Sequence, residues 1–175
     1  MTRTYFLQTE RLGFRLWHHS DGELAMRLWG DPEVTRLFSK EPLSAEQVEK
    51  RLLTEIENQE QLGFQYWPVF LKSDTGTDEH AGCCGLKPYR DKNDIFELGF
   101  HFRPAYWGMG LASEAARAVI AHAFENLGAS ALFAGHHPDN TASEKVLRKL
   151  GFAETRSEFF EGTGLVHPAY LLPRE

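Results

Sequence analysis

Apolar and polar residues follow one another along the chain with the two periods that distinguish strands from helices. A period of two, or a short apolar run between turn residues, predicts strands at residues 11–17, 64–72, 81–87, 96–102, 131–137, 152–159 and 165–172. Helical spacing of apolar residues predicts helices at residues 21–30, 45–62, 111–127 and 140–150. This order predicts an α/β fold of α+β-like character, with about six to seven strands in one mixed central sheet and about four helices flanking it. Antiparallel pairing is expected first, followed by one parallel pairing around the long helix.

Local capping signals support the second of these helices. Ser44 and Gln47 have the spacing of a capping box, in which each side chain accepts a backbone N–H of the other residue. Gly63 follows the last apolar residue of the helical pattern and suits a left-handed helix end.

The strand at residues 96–102 leads into a glycine-rich turn and then into a long, alanine-rich helix. On one face of this strand lie Phe96, Leu98, Phe100 and Phe102, and on the other lie Glu97, Gly99 and His101. The turn at residues 106–112 contains Gly108 and Gly110, whose lack of a side chain lets backbone N–H groups approach an anion at the positive end of the helix. The pattern therefore predicts a phosphate cradle, and a pyrophosphate is the ligand that suits it.

Length, charge and cysteine content narrow the class of protein. A chain of 175 residues can bury one ordinary core, so residues 1–175 are predicted to form a single domain. No apolar run is long enough to span a membrane and the start of the chain lacks a signal peptide, which predicts a cytoplasmic protein with no membrane partner. The net charge of -6 argues against a nucleic-acid partner. Cys83 and Cys84 are adjacent in an apolar segment, which suits buried thiols.

Four blocks of residues, taken together and in order, are more specific than the glycine turn alone. They are residues 9–12 (Thr-Glu-Arg-Leu) with 15–16, residues 97–100 (Glu-Leu-Gly-Phe), residues 106–115 around the turn, and residues 140–143 (Asn-Thr-Ala-Ser) leading to 149–152. In these blocks the chain resembles the GNAT superfamily of acyl-CoA-dependent N-acetyltransferases, most closely its RimJ/RimL-type branch. The resemblance extends from about residue 9 to residue 172. It implies a GNAT-like fold, acetyl-CoA as co-substrate and an amine as acceptor.

The resemblance also implies roles for individual residues. Backbone amides of residues 107–112 would hold the coenzyme A diphosphate, Asn140 would bind the pantetheine arm, and Ser143 would lie near the sulfur. The implied coenzyme-binding residues are Phe100, Phe102, Trp107, Gly108, Met109, Gly110, Leu111, Ala112, Asn140 and Ser143. Met109 stands where many family members carry Lys or Arg, and Leu147 stands where many carry a Tyr general acid. Ser143, or a water molecule, is then the candidate that protonates the departing thiolate.

The strand pattern places one carboxylate for amine chemistry. Glu97 lies on the polar face of the strand before the glycine turn, where it would deprotonate an ammonium, directly or through water, or attract the cation. His101 shares this face, but four residues of strand separate the two by roughly 13 Å. The predicted catalytic residues are thus Glu97 and Ser143. A structural ion pair of Glu97 with Arg90 or Lys92 is the alternative for that carboxylate.

The predicted reaction is acetyl transfer by direct attack of the amine in a ternary complex, because the buried cysteines offer no acyl carrier. The acceptor is either a protein N-terminal amine or a small amine such as a polyamine, an amino acid or an amine antibiotic. Residues 29–43 and 159–167 are expected to form the acceptor wall. An exposed edge strand at residues 165–172 would support a homodimer.

The sequence also bears on other classes of function. A non-catalytic acyl-CoA-binding module, acting as a sensor or interaction partner, is the alternative to an enzyme. A dinucleotide-binding turn is disfavoured because Ser113 stands where the third glycine belongs. No metal site is expected, since His136 and His137 lack supporting cysteine or carboxylate ligands.

Overall fold

An eight-stranded mixed sheet forms the centre of the computed structural model, which describes residues 4–175. In chain order its strands are β1 (Leu7–Gln8), β2 (Leu12–Phe14), β3 (Tyr66–Leu71), β4 (Glu79–Pro88), β5 (Ile95–Phe102), β6 (Ala131–Gly135), β7 (Ala153–Glu154) and β10 (Ala169–Pro173). In space the order is β1-β2-β3-β4-β5-β6-β10-β7. Two further strands, β8 (Glu158–Phe160) and β9 (Leu165–His167), form a separate antiparallel pair.

Five α-helices flank the sheet. They are α1 (Gly22–Trp29), α2 (Pro32–Thr35), α3 (Ala45–Leu62), α4 (Leu111–Glu125) and α5 (Thr141–Lys149), with short 3-10 helices at His19–Asp21 and Pro104–Tyr106. The predicted mixed α/β class is confirmed, although the structure has one more helix and a wider sheet than the pattern indicated. Within residues 4–175, no helix combines the length and the hydrophobicity that a membrane span requires.

Each end of α3 is fixed by the residues that predicted it. The Ser44 hydroxyl accepts the Gln47 N–H at 3.2 Å, and the Gln47 side chain accepts the Ser44 N–H at 2.8 Å. At the other end, Gly63 takes a left-handed conformation with φ of 80° and donates its N–H to the Gln59 carbonyl. These bonds satisfy backbone groups that a helix end otherwise leaves without partners.

The sheet separates two apolar cores. One face packs against α4 and includes Phe96, Leu98 and Phe102, with Phe100 partly buried beside them. The other face packs against α1 and α3 and includes Tyr66. The alternation along residues 96–102 therefore correctly predicted which side chains enter the α4 core. Cys83 and Cys84 are both completely buried, one in each core, as their apolar surroundings indicated.

The parallel pair of strands parts partway along its length. β5 pairs with β6 in parallel, as predicted, from Ile95↔Ala131 to Glu97↔Phe133, and every other neighbouring pair of described strands is antiparallel. Pairing of β5 with β4 continues to Phe102. Beyond Glu97, a gap therefore opens between β5 and β6 at the carboxyl end of the parallel pair.

The predicted bounds of the last two strands, at residues 152–159 and 165–172, are wrong. Residues 152–159 divide into β7 and β8, and residues 165–172 divide into β9 and β10 at Pro168. Pro168 has no N–H to donate to a neighbouring strand, and the strand is interrupted at this residue. β10 is paired on both sides, by β6 and β7, so the exposed edge suggested as a dimer surface is reduced to β9, which pairs with β8.

Candidate active site

A cavity of about 710 Å³ opens at the gap between β5 and β6. Residues from the glycine turn, from both parted strands and from α5 line one part of it. The segment around α2, the β8 strand and residues of α3 and β3 line the other part. Among the lining residues are Glu97, Phe100, Phe102, Trp107, Gly108, Gly110, Leu111, Ala112, Asn140 and Ser143. The structure thus brings together ten of the eleven predicted site residues; Met109 is the exception.

The turn before α4 presents backbone rather than side chains to the cavity. Gly108 and Gly110 both have φ of 75°, a left-handed conformation that residues with side chains rarely adopt. Gly110 is the N-cap of α4, and no side chain caps the helix there. The N–H groups of the first helical turn are therefore available to an anion, where the helix dipole also favours negative charge.

Two side chains from the start of the sheet hold this turn in place. The Arg11 guanidinium donates to the Met109 carbonyl at 3.0 Å and pairs with the Glu114 carboxylate at 2.7 Å. The Thr9 hydroxyl and the Arg11 N–H both donate to the same carboxylate. Burial alone would raise the pKa of Glu114, but these hydrogen bonds lower it. The sequence block at residues 9–12 is thus explained by its contacts with α4, which the pattern alone did not reveal.

The backbone amide of Phe100 faces the gap between the parted strands. Successive strand residues direct their N–H groups alternately to the two neighbouring strands. The Arg103 N–H donates to the Ala81 carbonyl on the β4 side at 2.9 Å, so the N–H of Phe100, three residues earlier, is directed away from β4. Because pairing with β6 ends at Glu97, the register leaves the Phe100 N–H without a strand partner.

Glu97 lies on the cavity face of β5 and has a cation beside it. Its register partner on β4 is Lys87, whose ammonium lies 3.0 Å from the Glu97 carboxylate. Burial raises the pKa of Glu97 above its ordinary value, although Lys87 acts in the opposite direction. The alternative prediction that Glu97 pairs with Arg90 or Lys92 is wrong, since Glu97 pairs with Lys87 and Arg90 pairs with Glu158 at 2.6 Å.

Asn140 and Ser143 lie together at the start of α5. The Asn140 side-chain oxygen accepts the Ser143 N–H at 3.1 Å, so Asn140 is the N-cap of the helix and keeps its amide N–H groups free to donate. The Ser143 hydroxyl makes no hydrogen bond to another residue of the part described. Leu147, one turn further along, is buried in the α4 core and also borders the cavity.

Aromatic rings enclose the end of the cavity beyond Glu97. His101 stacks on Phe38 with ring centroids 4.5 Å apart and accepts the Trp29 indole N–H at 3.3 Å. Burial, together with the nearby Arg51 charge, holds the pKa of His101 well below its usual range, so its ring is neutral at neutral pH. The Tyr66 ring meets His101 edge to face at 5.7 Å. His101 is therefore a wall of this end rather than a charged group.

Three residues of this site escaped the sequence analysis. In the sequence, Arg51 is one of several charged residues in the helix predicted at residues 45–62, and Lys87 ends the strand predicted at residues 81–87. Tyr66 lies in the strand predicted at residues 64–72, and in the structure it is buried and also borders the cavity. Only the alternation of β4 and β5, combined with a correct register, would have placed Lys87 opposite Glu97.

The histidines at the end of β6 have local partners. His136 is buried, accepts or donates a hydrogen bond with the Tyr170 hydroxyl at 3.2 Å and contacts the His137 carbonyl at 2.8 Å. His137 accepts the Asp139 N–H at 3.1 Å. In the part of the chain that is described, no group of three or more His, Cys, Asp or Glu is placed to hold a metal ion.

Comparison with known proteins identifies similar sequences and similar folds. Residues 11–153 match the family model described as "Acetyltransferase (GNAT) domain". The uncharacterized N-acetyltransferase p20 of Bacillus licheniformis is 31% identical over 147 residues, which span 83% of this chain and 81% of that protein. A GNAT-family acetyltransferase structure from Bacillus anthracis superposes with a TM-score of 0.80 at 21% identity, over 95% of this chain and 97% of that one. A coenzyme A complex of RimL, a ribosomal L7/L12 alpha-N-protein acetyltransferase, superposes with a TM-score of 0.78 at 17% identity, over 94% and 95% of the two chains.

Proposed function

The chain belongs to the GNAT acetyltransferase family, and from this we propose that it transfers the acetyl group of acetyl-CoA to a primary amine by direct attack in a ternary complex. The observation that carries the proposal is a cavity that joins a helix terminus suited to an anion to a carboxylate at an aromatic-walled end. Residues 1–175 are proposed to act as one domain, because the cavity draws on elements from α2 to β10.

The coenzyme half of the cavity suits a diphosphate joined to a long, hydrogen-bonding arm. The uncapped amides of α4, reached over Gly108 and Gly110, would bind the diphosphate, and the Asn140 amide would donate to the pantetheine arm. Met109 supplies no cation, and it is 44% exposed. Arg11, whose guanidinium lies against the turn, supplies positive charge close to that position instead.

The groups around the gap suit the chemistry of amide formation. The Phe100 N–H would donate to the thioester carbonyl and stabilise the oxyanion as the amine nitrogen attacks. Glu97 would accept the proton that the amine loses, and its raised pKa brings it closer to the pKa of the group that it deprotonates. The C–S bond then breaks, and the Ser143 hydroxyl, or a water molecule next to it, would give a proton to the thiolate.

The proposed acceptor is a protein N-terminal amine or a small amine. The walls of the acceptor end come from the segment around α2 and from the β8 strand, which are the regions that the sequence indicated. These two walls are joined by a hydrogen bond from the Lys40 N–H to the Gly162 carbonyl at 3.0 Å. An end enclosed in this way favours a small amine over the terminus of a folded protein.

Calorimetric titration with acetyl-CoA, followed by assays of thiol release with amine acceptors, tests the proposal. Micromolar binding and amine-dependent release are expected. Glu97→Gln and Ser143→Ala should bind acetyl-CoA normally, while Glu97→Gln lowers kcat by about 100- to 10,000-fold. Glu60→Gln and Ser157→Ala, exposed positions away from the cavity, are the matched controls. Binding without turnover for any amine would instead support the non-catalytic acyl-CoA-binding alternative.

A further inference from the structure

Arg51 is held in the wall of the cavity by aromatic rings alone. Its guanidinium carbon lies 4.6 Å from the ring centre of Trp29, 5.1 Å from that of Phe38 and 5.9 Å from that of Tyr66. Its Nε is buried and has no hydrogen-bond partner among residues 4–175. No hydrogen bond or ion pair joins its guanidinium to any other described residue. A planar cation with five donors is therefore fixed at the acceptor end with those donors unused.

The carboxylates near Arg51 are already engaged. Glu55, one helical turn along α3, accepts the Tyr66 N–H at 2.7 Å. Burial raises the pKa of Glu55 and the Arg51 charge acts in the opposite direction, but the two groups are not within ion-pair distance. At the same end of the cavity, Glu97 pairs with Lys87 and Glu158 pairs with Arg90. A partly buried guanidinium with no anion in contact is costly, and this cost is relieved when a ligand supplies a hydrogen-bonded anion.

A second free donor lies close to both Arg51 and Glu97. The Tyr66 hydroxyl stands over Gly99, and it makes no hydrogen bond to another residue of the described chain. Gly99 is two residues along the strand from Glu97, a separation of roughly 7 Å. A small molecule with a short carbon chain, which makes a hydrogen bond of roughly 3 Å at each end, spans such a distance.

We propose that the acceptor is a small amine that carries a carboxylate, such as an α-amino acid, bound through its carboxylate to Arg51 and the Tyr66 hydroxyl. Its amine then faces Glu97 and the gap between β5 and β6. This inference rests on the proposed acetyl transfer. It disfavours a polyamine, because a second ammonium group would face the Arg51 charge. It also disfavours a peptide N-terminus, whose first carbonyl belongs to a neutral amide.

The test compares acceptors that differ only at the carboxylate. Each of the common L-amino acids is offered beside its carboxamide and its decarboxylated amine, with acetyl-CoA, and N-acetylated products are measured by mass spectrometry. We expect at least one amino acid to be acetylated with kcat/KM about 10- to 100-fold above that of its carboxamide. Arg51→Met should remove this preference, and Arg51→Lys should restore part of it, because a lysine keeps the charge without the planar fork.

Controls separate this inference from a loss of folding and from the proposed function. Arg117→Met, at an exposed position on α4 outside the cavity, should leave every acceptor unchanged. Tyr66→Phe should lower the preference for the acid by a few-fold while leaving acetyl-CoA affinity intact. The inference alone is overturned if carboxamides or decarboxylated amines are acetylated as well as the acids or better. It is also overturned if a chain that binds acetyl-CoA acetylates no amino acid. Failure to bind acetyl-CoA overturns the proposed function and this inference with it.

Discussion

The Tyr66 hydroxyl occupies the space that a side chain at position 99 would fill: a Cβ built on Gly99 would stand 2.0 Å from the hydroxyl oxygen and 2.4 Å from the adjoining ring carbon. Since these atoms belong to a ring packed in a core, the ring cannot simply swing away. The absence of a side chain at Gly99 is thus what allows Tyr66 to reach the cavity.

Gly99→Ala should therefore displace Tyr66. We expect a loss of about 1–3 kcal/mol in the free energy of unfolding from overpacking, together with weaker acceptor binding. Urea denaturation and the KM of the acceptor measure the two effects. Gly135→Ala is the matched control, because a Cβ there would meet nothing closer than 3.5 Å. Equal stability of the two variants would contradict the packing described for Tyr66.

Gly108→Ala should weaken acetyl-CoA binding. A Cβ at this position meets no other atom, so its effect on stability, about 1–2 kcal/mol, comes from the left-handed backbone alone. Gly76 has φ of 80° and equally open surroundings in the β3–β4 loop, so Gly76→Ala should lose a similar amount of stability. Only Gly108→Ala should raise the Kd of acetyl-CoA, by roughly tenfold, through the loss of a hydrogen bond to a charged group. Calorimetry on both variants decides whether the turn binds the coenzyme.

Lys87→Met should shift the pH dependence of turnover. Burial raises the pKa of Glu97, and Lys87 partly offsets this by favouring the ionised form. Without Lys87 the pKa rises further, so Glu97 takes up a proton at a higher pH. If ionised Glu97 is the base, the acidic limb of the kcat/KM profile then moves to higher pH. Lys50→Met, at an exposed position on α3, should leave the limb where it is.

His80 should make the fold less stable in acid. Burial, with a contribution from Arg103, lowers the pKa of His80 from 6.5 to about 4, and both ring nitrogens are buried without a partner in the described chain. The unfolded chain takes up a proton near pH 6.5 and the folded chain only near pH 4, so stability falls as the pH falls between these values. The loss from this group between pH 7.5 and pH 5 is about 2 kcal/mol.

Replacement of His80 tests this assignment. His80→Phe keeps the ring contacts with Trp17 and Phe70 and removes the titrating group, so urea denaturation at pH 7.5 and pH 5 should show a smaller decrease than in the parent chain. His19→Gln removes an exposed histidine and should leave the decrease unchanged. An undiminished decrease in His80→Phe would show that other groups account for the acid sensitivity.

Local signals accounted for most of the fold. The capping box at Ser44, the left-handed Gly63 and the alternation along β5 each depend on residues close together in the sequence, so a pattern reveals them. Pro168 also carried a local signal, since a residue without an N–H weakens strand pairing and the last predicted strand is divided there. Extra helices such as α2 are only one turn long and lack a periodic pattern.

The site was predicted less completely than the fold, and the reason is the distance in sequence between its parts. Glu97 and Ser143 lie in recognisable blocks, whereas the partner of Glu97 follows from the register of β4 with β5. Arg51 belongs to a helix whose polar residues mostly face solvent, and only the packing of α3 against the sheet reveals that this one meets Trp29 and Phe38. A sequence pattern does not show which side chains from distant elements meet in the folded site.

The contacts from Thr9 and Arg11 to the glycine turn have a consequence for hydrogen exchange. Because the Arg11 N–H donates to Glu114 in the first turn of α4, this amide can exchange with solvent only when the strand segment and the helix separate. A ligand that binds the intact turn disfavours that separation, and by linkage it must slow exchange at position 11. The backbone amide of Arg11, almost a hundred positions from the turn in sequence, thus serves as a built-in reporter of coenzyme occupancy.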